Sequence, residues 1–171
     1  MMFKGFKTLI VFYISSLIIA LIPTSWWYYS AGGIANIYDS PFLLRVEFLG
    51  SYVIIVNIVN ILLTAFRIYV IVNIVYALIY IFRKKQEYKY TTMAWLPVLY
   101  IIDPILTYLV LKFALPNYAN YPFIIFGQET FTIHQGNTTA SLLIVSEPTI
   151  AFWISFIPTI AYVAYLIIKR L

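Results

Sequence analysis

Two ionisable residues, Arg67 and Asp103, lie well inside long apolar runs of this 171-residue sequence. A guanidinium and a carboxylate can form a charge-assisted, bidentate pair. Facing lipid, each would cost about 2.5 to 3.5 kcal/mol near the bilayer centre, so neither should stand unpaired there. Arg67 lies 16 residues before Arg83, and Asp103 lies 13 residues after Tyr90. In helices these separations are about 24 Å and about 20 Å. Such similar depths predict that adjacent antiparallel helices bring the two side chains together. Two readings stand for the pair: a structural lock within a helix bundle, or a gate, a proton-relay element or a site for an anionic or quinone headgroup. Asp103-Pro104 adds a local feature, because Pro104 cannot donate to the Tyr100 carbonyl and leaves it free beside the carboxylate.

Helical periodicity extends the polar pattern. Asn57, Asn60, Thr64 and Arg67 fall within an arc of about 80° at 100° per residue, while Ile71, Ile74 and Leu78 continue that face as apolar residues. Tyr100, Asp103 and Thr107 share a face further on, as do Ser155, Thr159 and Tyr162. Each segment thus has one side suited to hydrogen bonding with neighbouring helices. Asn73 points away from the first stripe.

Other chemistries have thinner support. With no cysteine, the chain offers no disulfide, thiolate metal site or thiol nucleophile. Its single histidine, His134, reads as a surface residue that would ligate a metal only with help from another chain. Glu129 and Glu147 read as solvated loop acids. Sixteen Tyr and thirteen Phe suit interfaces and helix contacts, or a quinone or lipid pocket shared with another chain. Phosphate-binding Gly loops, zinc-protease motifs and nucleophile elbows are missing from the sequence. The expectation is therefore no cofactor, no metal and no catalytic activity by this chain alone.

The elements that would position these residues follow from composition. Hydrophobic residues make up 63% of the chain and charged residues 10%, too little polar surface to enclose a water-soluble globule. A nucleic-acid role has no support beyond the net charge of +5. A bilayer core of roughly 30 Å needs about 20 helical residues, and four apolar runs come near that length: residues 8–23, 51–82, 93–113 and 149–168. Pro97, Pro104 and Pro158 fall inside the last two and predict kinks. Lys4 and Lys7 before an apolar stretch also have the form of a signal peptide; the reading adopted is an uncleaved first helix. Placing both termini and the loop 83–92 in the cytoplasm gathers eight of the eleven basic residues there: Lys4, Lys7, Arg83, Lys84, Lys85, Lys89, Lys169 and Arg170. That asymmetry sets orientation, with a secondary attraction to anionic lipid.

The outer loops are then 24–50 and 114–148. Trp26, Trp27, Tyr28 and Tyr29 read as an interfacial aromatic cluster. Asp39 or Ser40 is suited to cap a short amphipathic helix over 41–49, with Pro41 at its first position. Residues 123–134 and 138–145 flank Gln135-Gly136-Asn137 and read as a β-hairpin outside the membrane. Asn137-Thr138-Thr139 is a glycosylation sequon in that loop.

The expected fold is a single all-α integral membrane domain of four transmembrane helices, with both ends inside and a small outer hairpin. The expected function is a non-catalytic subunit of a larger membrane complex, such as an energy-converting, respiratory or cell-envelope assembly. Its partners would be other integral membrane subunits and lipid. The alternative is a homo-oligomeric channel or transporter using the Arg67 and Asp103 pair. The lack of Cys, with abundant Ile and Tyr, fits a thermophile.

Overall fold

A computed structural model describes residues 4–109, 112–113, 123–135 and 138–171. Helix α1 (Phe6–Leu21) leads into strands β1 (Trp27–Ala31), β2 (Ala35–Ser40), β3 (Leu43–Phe48) and β4 (Ser51–Tyr52). Helices α2 (Val56–Lys84), α3 (Thr92–Tyr100) and α4 (Ile102–Leu109) follow, then β5 (Gly127–Gln135), β6 (Thr138–Pro148), α5 (Ile150–Ile154) and α6 (Phe156–Arg170). The six strands form one antiparallel sheet in the order β4-β3-β2-β1-β6-β5.

This overturns the expected all-α bundle: the chain is a mixed α/β protein. Two helical stretches, Val56–Lys84 and Ile150–Arg170, are long and apolar enough to cross a membrane. A third exists if α3 and α4, bent by 42° at their junction, count as one span. The expected run at 8–23 corresponds to the 16-residue α1, about 24 Å long.

The outer segments were misread where apolar and aromatic residues serve equally well in strands. Trp27 and Tyr29 alternate with Tyr28 and Ser30, and aromatic side chains favour a pleated, half-buried surface. The expected helix over 41–49 is instead the turn into β3. Ser40 Oγ accepts from the Phe42 amide at 3.3 Å and donates to the Leu43 carbonyl at 3.1 Å. That local bonding competes with helix formation, and the period-two pattern Leu44, Val46, Phe48 then pairs with β2. Leu49 and Gly50 make the turn between β3 and β4. The expected hairpin at 123–145 forms as β5 and β6, but its strand β6 also pairs with β1, Tyr29 opposite Ser146. The hairpin is therefore the edge of the larger sheet.

The helical core is built by α1 against α2 and α6, and by α3 against α6. On α2 the buried residues Val70, Ile74, Ala77 and Ile81 recur every three or four positions and form one stripe. They meet Leu9, Phe12 and Tyr13 of α1, Met93 and Ala94 of α3, and Ala161 and Tyr165 of α6 in one cluster. The opposite face of α2 is exposed, with Ile58, Ile61, Leu62, Ile68, Val72 and Ile79 pointing away from the core. The sheet joins the helices at the opposite end from Lys85, since α1 enters it, and both α2 and α5 leave it.

Candidate functional site

The strand register places two rows of side chains on one face of the sheet. Leu44, Asp39 and Trp27 are opposite one another in the first row, and Val46, Ile37, Tyr29 and Ser146 in the second. Helices α2 and α4 lie over this face and enclose a half-open cavity of about 350 Å³. Its lining includes Trp27, Tyr29 and Asp39 from the sheet, Val59 and Leu63 from α2, and Asp103, Pro104 and Thr107 from α4.

Two contacts hold the walls in place. Asn60 of α2 accepts from the Leu44 amide at 2.8 Å and donates to the Leu44 carbonyl at 2.7 Å, acting as a one-residue strand partner that pins α2 to β3. Trp27 Nε1 donates to Ser146 Oγ at 3.0 Å, and that hydroxyl donates to the Ile125 carbonyl at 2.9 Å.

Within this apolar lining stand two carboxyl groups. Burial pushes the Asp39 carboxyl up to about 7; the neighbouring Asp103 carboxylate adds to the rise, while the Tyr100 hydroxyl and the Ser40 main chain oppose it. Burial also raises the Tyr29 hydroxyl. Tyr100 is itself fixed by its ring, 5.4 Å from Trp26 in an edge-to-face contact. Its buried hydroxyl interacts with Asp39 without a hydrogen bond of regular geometry. A pair of carboxyls with one raised to neutrality can bind and release one proton near pH 7.

The sequence-selected residues fall into separate places. Arg67 and Asp103 do not pair. Arg67 Nε donates to the Ala20 carbonyl at 2.7 Å and its Nη2 donates to the Leu21 carbonyl, capping the C-terminus of α1, where carbonyls lack helical partners and the dipole favours a cation. Equal depth does not bring Arg67 to Asp103, because the guanidinium reaches the helix-end carbonyls instead. Asn57 accepts from the Tyr52 hydroxyl at 2.8 Å, and Thr64 lines a shallow hollow with Asn57, Asn60 and Ile61. Asn73 bonds its own helix at Tyr69.

Tyr100, Asp103 and Thr107 do converge on the cavity region. Thr159 donates to the Ala94 carbonyl at 2.8 Å, tying α6 to α3. Ser155 bonds the Phe152 carbonyl within its own turn, and the Tyr162 ring packs 5.1 Å from Phe12. His134, Glu129 and Glu147 are exposed on the sheet, and no group of three or more metal-ligating side chains occurs among the described residues. Asn137 lies outside the described residues.

Asp39 is the residue sequence reasoning missed, having been assigned to a helix cap. The signal was the alternation Ile37-x-Asp39 opposite Trp27-x-Tyr29, which puts all four on one face once strands are assumed. No protein-family model matches the chain, and no curated protein and no solved structure matches it either.

Proposed function

We propose that the chain is a multi-pass integral membrane protein acting as a non-catalytic subunit of a larger membrane assembly. In this reading its long apolar helices lie among other membrane subunits and lipid, and the sheet contacts partners on one membrane surface. The outward face of α2 carries the reading. It presents Ile58, Ile61, Leu62, Ile68, Val72 and Ile79 away from the protein, far more contiguous apolar surface than a water-soluble monomer leaves open.

The polar side chains within the helices fit the same role. Arg67, Asn60, Thr159 and Tyr13 each bond main-chain atoms of another segment. They spend their hydrogen-bonding capacity on holding the fold together. Strand β5 adds a nine-residue sheet edge, a surface on which a partner strand can pair.

Solubilisation in mild detergent, native separation and mass spectrometry test the proposal. Migration with other membrane proteins in a defined heteromeric band is expected; a homo-oligomer of this chain alone refutes it. The carboxyl pair in the cavity favours a second reading, a proton-linked channel or transporter. That reading requires proton flux in reconstituted vesicles that Asp39→Asn and Asp103→Asn abolish.

A further inference from the structure

At the end of the helices away from the sheet, a second cavity of about 270 Å³ is lined by Lys4, Lys85, Gln86, Glu87, Tyr165 and Lys169. It brings together the segment before α1, the connection after α2 and the last turn of α6. Lys169 is bonded to Glu87. The ion pairs among the described residues are this one and Arg45 with Glu47, so neither Lys4 nor Lys85 forms one, and the cavity holds three lysines against the single carboxylate of Glu87. The lining therefore carries a net positive charge.

Helix-end electrostatics do not account for both. Arg83 and Lys84 occupy the last turn of α2, and Lys169 and Arg170 that of α6, where cations complement the dipole. Lys4 precedes the N-terminus of α1, the end that disfavours a cation and attracts an anion. Gly5 fixes its position. With φ of +79°, Gly5 sits so close to the Tyr165 ring that an added Cβ would lie 2.7 Å from Cδ2. This contact seats the start of α1 directly on the cavity wall. Tyr165 is 0% exposed, and its hydroxyl interacts with Glu87 without a hydrogen bond of regular geometry. Lys169 Nζ lies over the same ring at 5.8 Å.

We propose that this cavity binds a phosphate group, that of an anionic lipid headgroup, with Lys4 and Lys85 as cationic contacts. The lipid source rests on the membrane reading above. The cavity lies where α2 and α6 end in basic residues, and basic pockets between membrane helices suit anionic headgroups. Glu87 stays ionised and engaged with Lys169: burial opposes its charge, but the Lys169 ammonium and the Tyr165 hydroxyl outweigh this and lower its pKa. It therefore takes Lys169 out of competition for the phosphate and leaves Lys4 and Lys85 to bind it.

The test is native mass spectrometry of the whole protein in mild detergent, titrated with phosphatidylglycerol, phosphatidylcholine or glycerol 3-phosphate. Phosphatidylglycerol should be retained as one adduct in preference to phosphatidylcholine. The double substitution Lys4→Gln with Lys85→Gln should weaken it by roughly 30-fold, taking about fivefold per lysine. The control pair Lys7→Gln with Lys89→Gln removes the same charge outside the cavity and should leave retention unchanged. Glycerol 3-phosphate binding through Lys4 and Lys85, with neither lipid retained, would keep the phosphate site and overturn the lipid source. Equal retention of the two lipids, or equal losses in the two double variants, would overturn the site itself. A chain migrating alone yet retaining phosphatidylglycerol through Lys4 and Lys85 would refute the subunit reading and leave this one standing.

Discussion

Replacing Asp39 by Asn removes an ionisable group from the cavity between the sheet and α4 while keeping its shape. In the folded protein the carboxyl is raised from 3.8 to about 7, by burial first and by Asp103 second. The folded state therefore holds its proton more tightly than the unfolded chain does. The associated stability is fully present below the unfolded pKa and is lost as pH rises through the folded value. A shift of about three units corresponds to about 4 kcal/mol in all, at about 1.4 kcal/mol per unit. Between about pH 5 and about pH 8 the linkage relation leaves about 3 kcal/mol of that to be lost. For a chain of this size, about 3 kcal/mol moves the melting temperature by about 6 to 12 °C.

The assay is thermal unfolding in mild detergent across that pH range at one scan rate, since melting under such conditions is partly kinetic. The wild type should melt lower at the alkaline end, and Asp39→Asn should lose most of the slope. Asp103→Asn should reduce it by removing the second carboxylate. Infrared spectroscopy should detect a protonated carboxyl at neutral pH that Asp39→Asn abolishes. A wild-type melting temperature indifferent to pH, or an unchanged slope in Asp39→Asn, would refute the raised Asp39 carboxyl in this cavity.

Arg67→Leu removes the cap from the Ala20 and Leu21 carbonyls and should cost about 1 to 3 kcal/mol by leaving the part-buried Ala20 acceptor unpaired, seen as faster hydrogen exchange at the end of α1. Because Arg67 and Asp103 do not pair, adding Asp103→Leu should not restore the loss in Arg67→Leu; restoration would show that they act as a pair. Gly32→Ala should destabilise the β1–β2 turn, because Gly32 has φ of +57° and an added Cβ would lie 2.2 Å from Leu142 Cδ2. Adding Leu142→Ala should recover the steric part of that loss and leave the backbone strain, as read by denaturant midpoint. Tyr13→Phe removes a hydroxyl that donates to the Tyr88 carbonyl at 2.5 Å and accepts from the Tyr90 amide at 3.2 Å; a melting loss equivalent to about 1 to 3 kcal/mol is expected.

The helical half of this fold was legible because its signal has one meaning. Twenty or more apolar residues without punctuation suit little except a buried or membrane helix. Segments 51–82 and 149–168 accordingly overlap Val56–Lys84 and Ile150–Arg170 closely. The sheet was obscured because its residues carry two meanings at once. Trp27, Tyr28 and Tyr29 belong equally to an interfacial belt and to a strand. Ser40-Pro41 opens either a helix or a tight turn, and only the pairing of Leu43–Phe48 with β2 chooses the turn. Neither choice is local, since β2 is stabilised by β1, and β1 by β6 more than a hundred residues away.

The same distinction explains the site. Asp103 was found because a charge in an apolar helix is conspicuous whatever surrounds it. A cation at matching helix depth is its expected counterpart only if helices are its only neighbours. The neighbour is Asp39, carried to α4 by a sheet that the helical reading did not contain. Arg67, freed from that pairing, does what a long cationic side chain does beside a helix C-terminus and binds two carbonyls of α1. The tertiary contact therefore reverses the expected electrostatics: a like-charged pair that must hold a proton replaces an opposite-charged pair that would not. The pH slope of Asp39→Asn measures that difference directly, because an Arg67–Asp103 ion pair would give stability that grows with rising pH and the carboxyl pair gives stability that falls.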